Sequence, residues 1–194
     1  MKIMDSTEGS GGFTLIESMM VLAILAVLLL IAVPGYQQFV HNNTMLAEQY
    51  SLRATLDLAR TEALTRRSTV VVCPSADGST CVATDNWLGG YTAFVDSNAD
   101  NSLDPNNPRE ELIQRKSEPT SVNIRFSNSS NRVRFSPQGT AVGSEGTFVF
   151  CDDRGAGEAG ALTLNPVGSV TSAKDTDTPE DGLVNDAGGN NVSC

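Results

Sequence analysis

Phe13 to Val33 reads FTLIESMMVLAILAVLLLIAV, a run of 21 residues in which Glu17 is the single charge. As a helix this run is about 31 Å long, the thickness of the hydrocarbon core of a bilayer. A cleaved secretory signal would have a shorter apolar core ending in small residues at a cleavage site. The run continues instead into VPGYQQFVHNN. The segment therefore reads as one membrane anchor, with everything after it on one side of the membrane. Glu17 is costly in that setting and calls for a partner cation or a protonated state.

The residues in front of Glu17 say what the partner is. Gly11-Gly12-Phe13-Thr14-Leu15-Ile16-Glu17 resembles the class III signal of type IV pilins and type II secretion pseudopilins. The resemblance implies that a prepilin peptidase cuts after Gly12 and N-methylates the new terminus at Phe13. It also implies that Glu17 faces that terminal amine in the assembled fibre. Pairing of the two charges in low dielectric offsets the cost of burying each. Pro34 fits the same pattern, since pilins commonly carry a proline where the helix kinks or locally unwinds. The leader departs from it: Lys2 stands against Asp5 and Glu8, whereas pilin leaders are usually basic, as the positive-inside rule prefers.

Beyond the anchor, His41 to Arg67 keeps a helical period. Met45, Leu52, Leu56, Ala59 and Ala63 fall on one stripe, the expected core face. Arg53, Arg60 and Arg67 form another stripe, and Glu62 and Arg66 are spaced to pair on a solvated face. From Ser68 the pattern changes to short alternating runs between turn residues. Strands are expected at Thr69–Cys73, Gly90–Asp96, Glu111–Lys116, Val122–Ser127, Arg132–Ser136, Thr147–Cys151, Ala161–Asn165 and Ser169–Ser172. The tail from Lys174 to Asn191, rich in Asp, Gly, Asn and Thr, is expected to be loop held only by Cys194.

The expected chain is thus α+β and pilin-like, a long N-terminal helix packed on an antiparallel β-sheet head. Its parts are a leader at 1–12, a transmembrane helix at 13–34, an amphipathic helix at 35–67 and a β-rich periplasmic head at 68–194. Within the head, Ala59-Arg60-Thr61-Glu62-Ala63-Leu64, Val72-Cys73-Pro74, Asp77-Gly78, Cys81, Trp87, Gly89-Gly90-Tyr91, Phe94-Val95-Asp96 and Asn98 resemble, in order and spacing, the GspH/FimT (FimT/FimU) branch of minor pilins and pseudopilins.

Cys73, Cys81, Cys151 and Cys194 are an even set in a head expected to reach an oxidising compartment, which favours two disulfides out of three connectivities. Pairing Cys73 with Cys81 closes a short loop; pairing Cys151 with Cys194 pins the tail to a strand. One histidine, His41, excludes triads and zinc sites that need several imidazoles, and no motif supports an enzyme. Asp96, Asn98, Asp100 and Asp104 match the first ligand positions of a calcium loop. Asn101 replaces its glycine and Asn107 its last carboxylate, with Glu110 or Glu111 the substitutes from a longer loop. A hairpin loop chosen for turn propensity explains the same residues and is preferred. No other cofactor is expected.

Two functions compete. The resemblance implies a minor pilin, a structural subunit of the tip or initiation complex, working with other minor pilins, the major pilin and the inner-membrane assembly platform. Such a subunit starts as a single-pass inner-membrane protein and enters the pilus on assembly. The alternatives are a minor pseudopilin of a type II secretion system and a pilus-tip subunit that binds DNA, as some FimT proteins do. DNA-binding members share a basic Gly-Arg-x-Arg segment, and Gly168-Ser169-Val170-Thr171 lacks both arginines. The chain carries −10 overall, and Phe135 to Cys194 holds nine acids against two bases, which repels phosphate. Arg125, Arg132 and Arg134 remain as a small basic island.

The processing expectation has a direct test. Gly12→Glu should leave an uncut precursor, whereas wild-type protein taken from membranes should begin at methylated Phe13. An intact mass that still included Met1 in the wild type would overturn the reading.

Overall fold

The computed structural model describes residues 13–117 and 120–194. It forms two compact units, one ending at His41 and one comprising Asn42–Cys194. The predicted leader lies outside the described residues. Helix α1 (Leu15–Arg66) is shared by the two units. In the first unit every residue from Phe13 to Val40 is exposed, so a helix apolar on all sides buries none of its faces there. α1 continues through Pro34 without a break, although proline supplies no N–H to the carbonyl one turn earlier.

In the second unit α1 becomes one-sided. Met45, Leu52, Leu56, Ala59 and Ala63 are buried, as their spacing predicted, together with Thr55. Thr55 tolerates burial because its hydroxyl donates to the Ser51 carbonyl at 3.0 Å. The stripe enters one core with the inward faces of two antiparallel sheets. The first sheet has the order β3-β2-β1-β5, from β1 (Thr69–Pro74), β2 (Tyr91–Asp96), β3 (Leu112–Lys116) and β5 (Val133–Phe135). The second has the order β4-β6-β7-β8, from β4 (Asn123–Phe126), β6 (Gly146–Cys151), β7 (Gly160–Leu164) and β8 (Val170–Ser172). All eight expected strands are present, most of them trimmed by a residue at one end or both.

Strand alternation decides what each sheet buries. Val70 and Val72 of β1 face the main core, while Val71 and Cys73 join Phe94 in a second, smaller cluster completed by Cys81 and Leu103. β1 and β2 are therefore covered on both faces, and two loops form the outer cover. Trp87 fills the main core with its ring 5.0 Å from Phe148, edge to face, and Phe148 stacks on Phe126 at 4.1 Å. Such ring pairs add about 0.5–1.5 kcal/mol beyond the area they bury. Tyr91 reaches from β2 to α1, where its hydroxyl lies 2.8 Å from Ser51 Oγ; burial pushes its phenol pKa up. Gly90 turns the chain into β2 at φ +108°, and a Cβ there would lie 2.0 Å from the Lys116 carbonyl oxygen. Only glycine fits that approach.

Polar contacts hold the helix to the head at its margins. Lys116 Nζ pairs with Glu48 in a largely buried position. Arg60 donates from Nε to the Gly139 carbonyl and from Nη2 to the Val167 carbonyl, each at 3.0 Å. Arg66 bridges Glu62 and Glu111, which raises its pKa further.

The structure pairs Cys73 with Cys81 and Cys151 with Cys194, with Cα separations of 5.5 and 5.7 Å. The tail is irregular, as expected, but it is not held by Cys194 alone. Val192 is buried, and Asn185 is 4% exposed. The Asn185 side chain accepts the Thr176 N–H at 2.6 Å and donates to Asn191 Oδ1 at 2.8 Å. The Ala187 N–H reaches Thr147 Oγ1 on β6 at 3.0 Å. A buried amide can organise three turns at once because it both donates and accepts.

Asn185→Ala should therefore loosen the tail even with both disulfides intact, since a buried amide partner lost costs about 1–3 kcal/mol. Limited proteolysis of the oxidised chain, mapped by mass spectrometry, should show faster cutting between residues 174 and 191. Wild-type protection would show that the disulfide suffices.

Candidate functional site

The first unit carries the predicted processing and assembly residues. Phe13 precedes the helix and is exposed, while Gly12 lies outside the described residues. Thr14 stands just before α1, and its Oγ1 accepts the Glu17 N–H at 3.3 Å. Its carbonyl accepts the Ser18 N–H at 3.2 Å. Thr14-x-x-Glu17 is the spacing of a capping box, in which a hydroxyl satisfies an otherwise orphaned amide of the first turn. Sequence reasoning passed over Thr14, though that spacing was the signal for it. Glu17 thus sits in the first turn, where the helix dipole favours a carboxylate. It is exposed and open to a cation brought by another molecule.

In the head, the loop closed by Cys73 and Cys81 is stiffened from within by Asp77. Its Oδ1 accepts the N–H groups of Ser79 and Thr80, both at 2.8 Å, and the Ser75 hydroxyl at 3.0 Å. The Thr80 hydroxyl also donates to Asp77. These donors, Thr80 first, hold the Asp77 carboxyl well below the usual carboxylate range. The loop borders a groove of about 380 Å³ lined without a charged residue, to which Val82 and Leu88 contribute partly exposed apolar surface.

The Asp96–Asp104 loop uses its oxygens for turn chemistry. Asp96 is buried, and it accepts the N–H groups of Asp100 and Asn101 at 3.1 and 3.0 Å. Arg134 Nη2 lies 3.3 Å from its Oδ2, so a guanidinium balances the charge. Asn98 Oδ1 accepts the Asp100 N–H at 3.0 Å, and Asp104 Oδ1 the Asn106 N–H at 2.8 Å. Glu110 closes the loop by accepting the Asp104 N–H at 2.9 Å. Elsewhere the fold brings Asp175, Asp177 and Asp181 within 4.8 Å of one another. Their oxygens accept Gly182 N–H, Asn185 Nδ2 and Asn191 Nδ2, contacts that build the tail.

The predicted basic island is divided. Arg132 and Arg134 line one hollow, whereas Arg125 lines another together with Asp85 and Asp186. Their closeness in sequence misled because β4 and β5 belong to different sheets. Arg125 therefore faces local acids, and Arg134 is already engaged with Asp96 and Asn101.

Comparison with known proteins agrees with this architecture. The family model described as type II transport protein GspH matches residues 50–168, and that of the prokaryotic N-terminal methylation motif matches residues 9–33. Among solved structures, the type IV minor pilin FimU of Pseudomonas aeruginosa PAO1 in space group P21 is similar. It has 18% identity and a TM-score of 0.54, over 72% of this chain and 95% of that one. A second crystal form of FimU, in P65, gives 17% identity and a TM-score of 0.49, over 66% and 91%. No curated protein sequence matches significantly. The shared fold is the long N-terminal helix with antiparallel sheets packed on its second half. With more than half of its length matched to one family and a methylation motif at its N-terminus, the chain belongs to the GspH family of type IV pilin-like proteins.

Proposed function

We propose that this protein is a minor pilin of a type IV pilus, a structural subunit of the tip or initiation complex that promotes assembly. The observation that carries this is the segment Phe13–Val40, exposed throughout, with an acid at Glu17 in its first turn. An apolar helix of this length with every residue exposed needs lipid or other helices around it. Membrane insertion and later incorporation into a fibre supply these in turn. Cleavage after Gly12 by a prepilin peptidase places a methylated amine at Phe13, and Glu17 of one subunit pairs with such an amine during assembly. The head stays on the periplasmic side of the inner membrane until the assembly platform moves the subunit into the fibre with other minor pilins and the major pilin.

A second reading, a minor pseudopilin of a type II secretion system, is favoured by the description of the matching family. DNA capture is supported less well, because Arg125 lies among acids and Arg134 is internally paired.

Glu17→Val should permit insertion and cleavage but lower incorporation, since valine suits lipid yet cannot attract an amine. Immunoblots of sheared fibres against membrane fractions should show the variant retained in the membrane. Wild-type abundance in the fibres would count decisively against this role.

Deleting the gene should reduce surface pili, counted by electron microscopy, and twitching or transformation with them. Unchanged pili with secreted enzymes trapped in the periplasm would transfer the protein to a secretion system. Unchanged pili with loss of DNA uptake alone would make it a receptor.

A further inference from the structure

The segment Asp96-Ser97-Asn98-Ala99-Asp100-Asn101-Ser102-Leu103-Asp104 has the spacing of a calcium loop, and the fold brings a positive group into it. That group is Arg134. In the order β2-β1-β5, Arg134 stands opposite Val71 and Val71 opposite Phe94. Strand alternation then puts Arg134, Val71, Phe94 and Asp96 on one face of the sheet. The Arg134 side chain spans β1 on that face and delivers its guanidinium to the loop.

Three oxygens meet on one of its nitrogens. Arg134 Nη2 lies 3.3 Å from Asp96 Oδ2 and 3.3 Å from the Ala99 carbonyl oxygen, and it also contacts Asn101 Oδ1. A carboxylate, a backbone carbonyl and a side-chain amide are the oxygen types that a calcium loop gathers around its ion. Nη2 carries only two N–H groups, fewer than the acceptors around it, so the oxygens answer to its charge as well as to its protons. Asp96 makes such a charge necessary. Its side chain has no solvent exposure, and a carboxylate buried in that way needs a cation. The N–H groups of Asp100 and Asn101 also reach it, but neither brings a full charge. The other acids of the loop are used locally: Asp100 accepts the Ser102 N–H and Asn98 Nδ2, and Asp104 accepts the Asn106 N–H.

We propose that this loop is a calcium-type cation site whose cation is supplied by the protein itself, with the Arg134 guanidinium in the place of the ion. Leu103 of the loop packs on the outer cluster of Val71, Cys73 and Phe94, so an internal cation keeps that cover closed whatever the calcium level around the head. A latent metal site follows from the same geometry. Without the guanidinium, Asp96, the Ala99 carbonyl and Asn101 still offer their oxygens, and calcium with water completing its coordination takes the vacated place. A turn held by residue propensity alone keeps its shape without any cation, which separates the two accounts. The inference does not rest on the proposed role in a pilus, so either can fail alone.

The test uses the full-length chain in detergent micelles, with heat unfolding followed by circular dichroism in chelator and in millimolar calcium, and equilibrium dialysis to count calcium per chain. In chelator, Arg134→Ala should unfold about 10 °C below wild type, the scale for a buried charge left unpaired. Calcium should restore at least half of that loss, and the variant should hold one calcium per chain more than wild type does. Adding Asp96→Asn to Arg134→Ala removes both charges. This double variant should unfold above the single one in chelator and should lose the extra calcium, a pattern that general misfolding could not produce. Four results would each overturn the proposal: Arg134→Ala as stable as wild type in chelator, a destabilised Arg134→Ala that gains no calcium response over wild type, an extra calcium that persists in the double variant, or a calcium response of wild type that Asp96→Asn abolishes.

Discussion

Burial of one stripe of α1 against two sheets holds the head together. Leu52, Leu56, Ala59 and Ala63 have no solvent exposure, and both sheets close on them with valine, leucine and phenylalanine side chains. Burying one leucine contributes about 1.5–3 kcal/mol. The two alanines contribute differently, by letting the sheets approach the helix axis. The inward faces of both sheets pack on this helix and on each other. The strands therefore complete the main core only when α1 is in place.

The same helix is read by two solvents. Up to Val40 it is exposed on every side and nearly free of charge, while from Asn42 onward its faces divide into a buried stripe and a charged one. Arg53 with Asp57, Arg66 with Glu62, and Glu48 with Lys116 mark the second regime. The exposed pairs, Arg53 with Asp57 and Arg66 with Glu62, are worth little individually. Their main consequence is orientation, because they leave only one face of the helix suited to the core.

Loops do the rest of the covering. The Cys73–Cys81 loop and the Asp96–Asp104 loop together shield the outer cluster of Val71, Cys73 and Phe94. Each is ordered by a carboxylate that accepts backbone N–H groups, Asp77 in one and Asp96 in the other. Side-chain oxygens here replace the backbone partners that a turn lacks. In the tail an amide, Asn185, does the same work from a buried position. An acidic head thus spends many of its acids on its own turns, and Glu180 is one of those left without such a use.

The sequence by itself determined the elements. The apolar run, the helical stripe, the alternating strands and the even cysteine set are local patterns, with periods of 3.6 and 2 fixed by backbone geometry. The prepilin-like motif is local too, and Glu17 needed no structure to be singled out. Tertiary structure alone decided which distant residues meet. It separated Arg125 from Arg132 and Arg134 by assigning neighbouring strands to different sheets, and it used Arg134 to neutralise Asp96. It also made Asn185 the hub of a tail whose composition reads only as loop. The reason is that charge and hydrogen-bond partners are chosen by distance through space. Composition and spacing along the chain record only what is close in sequence.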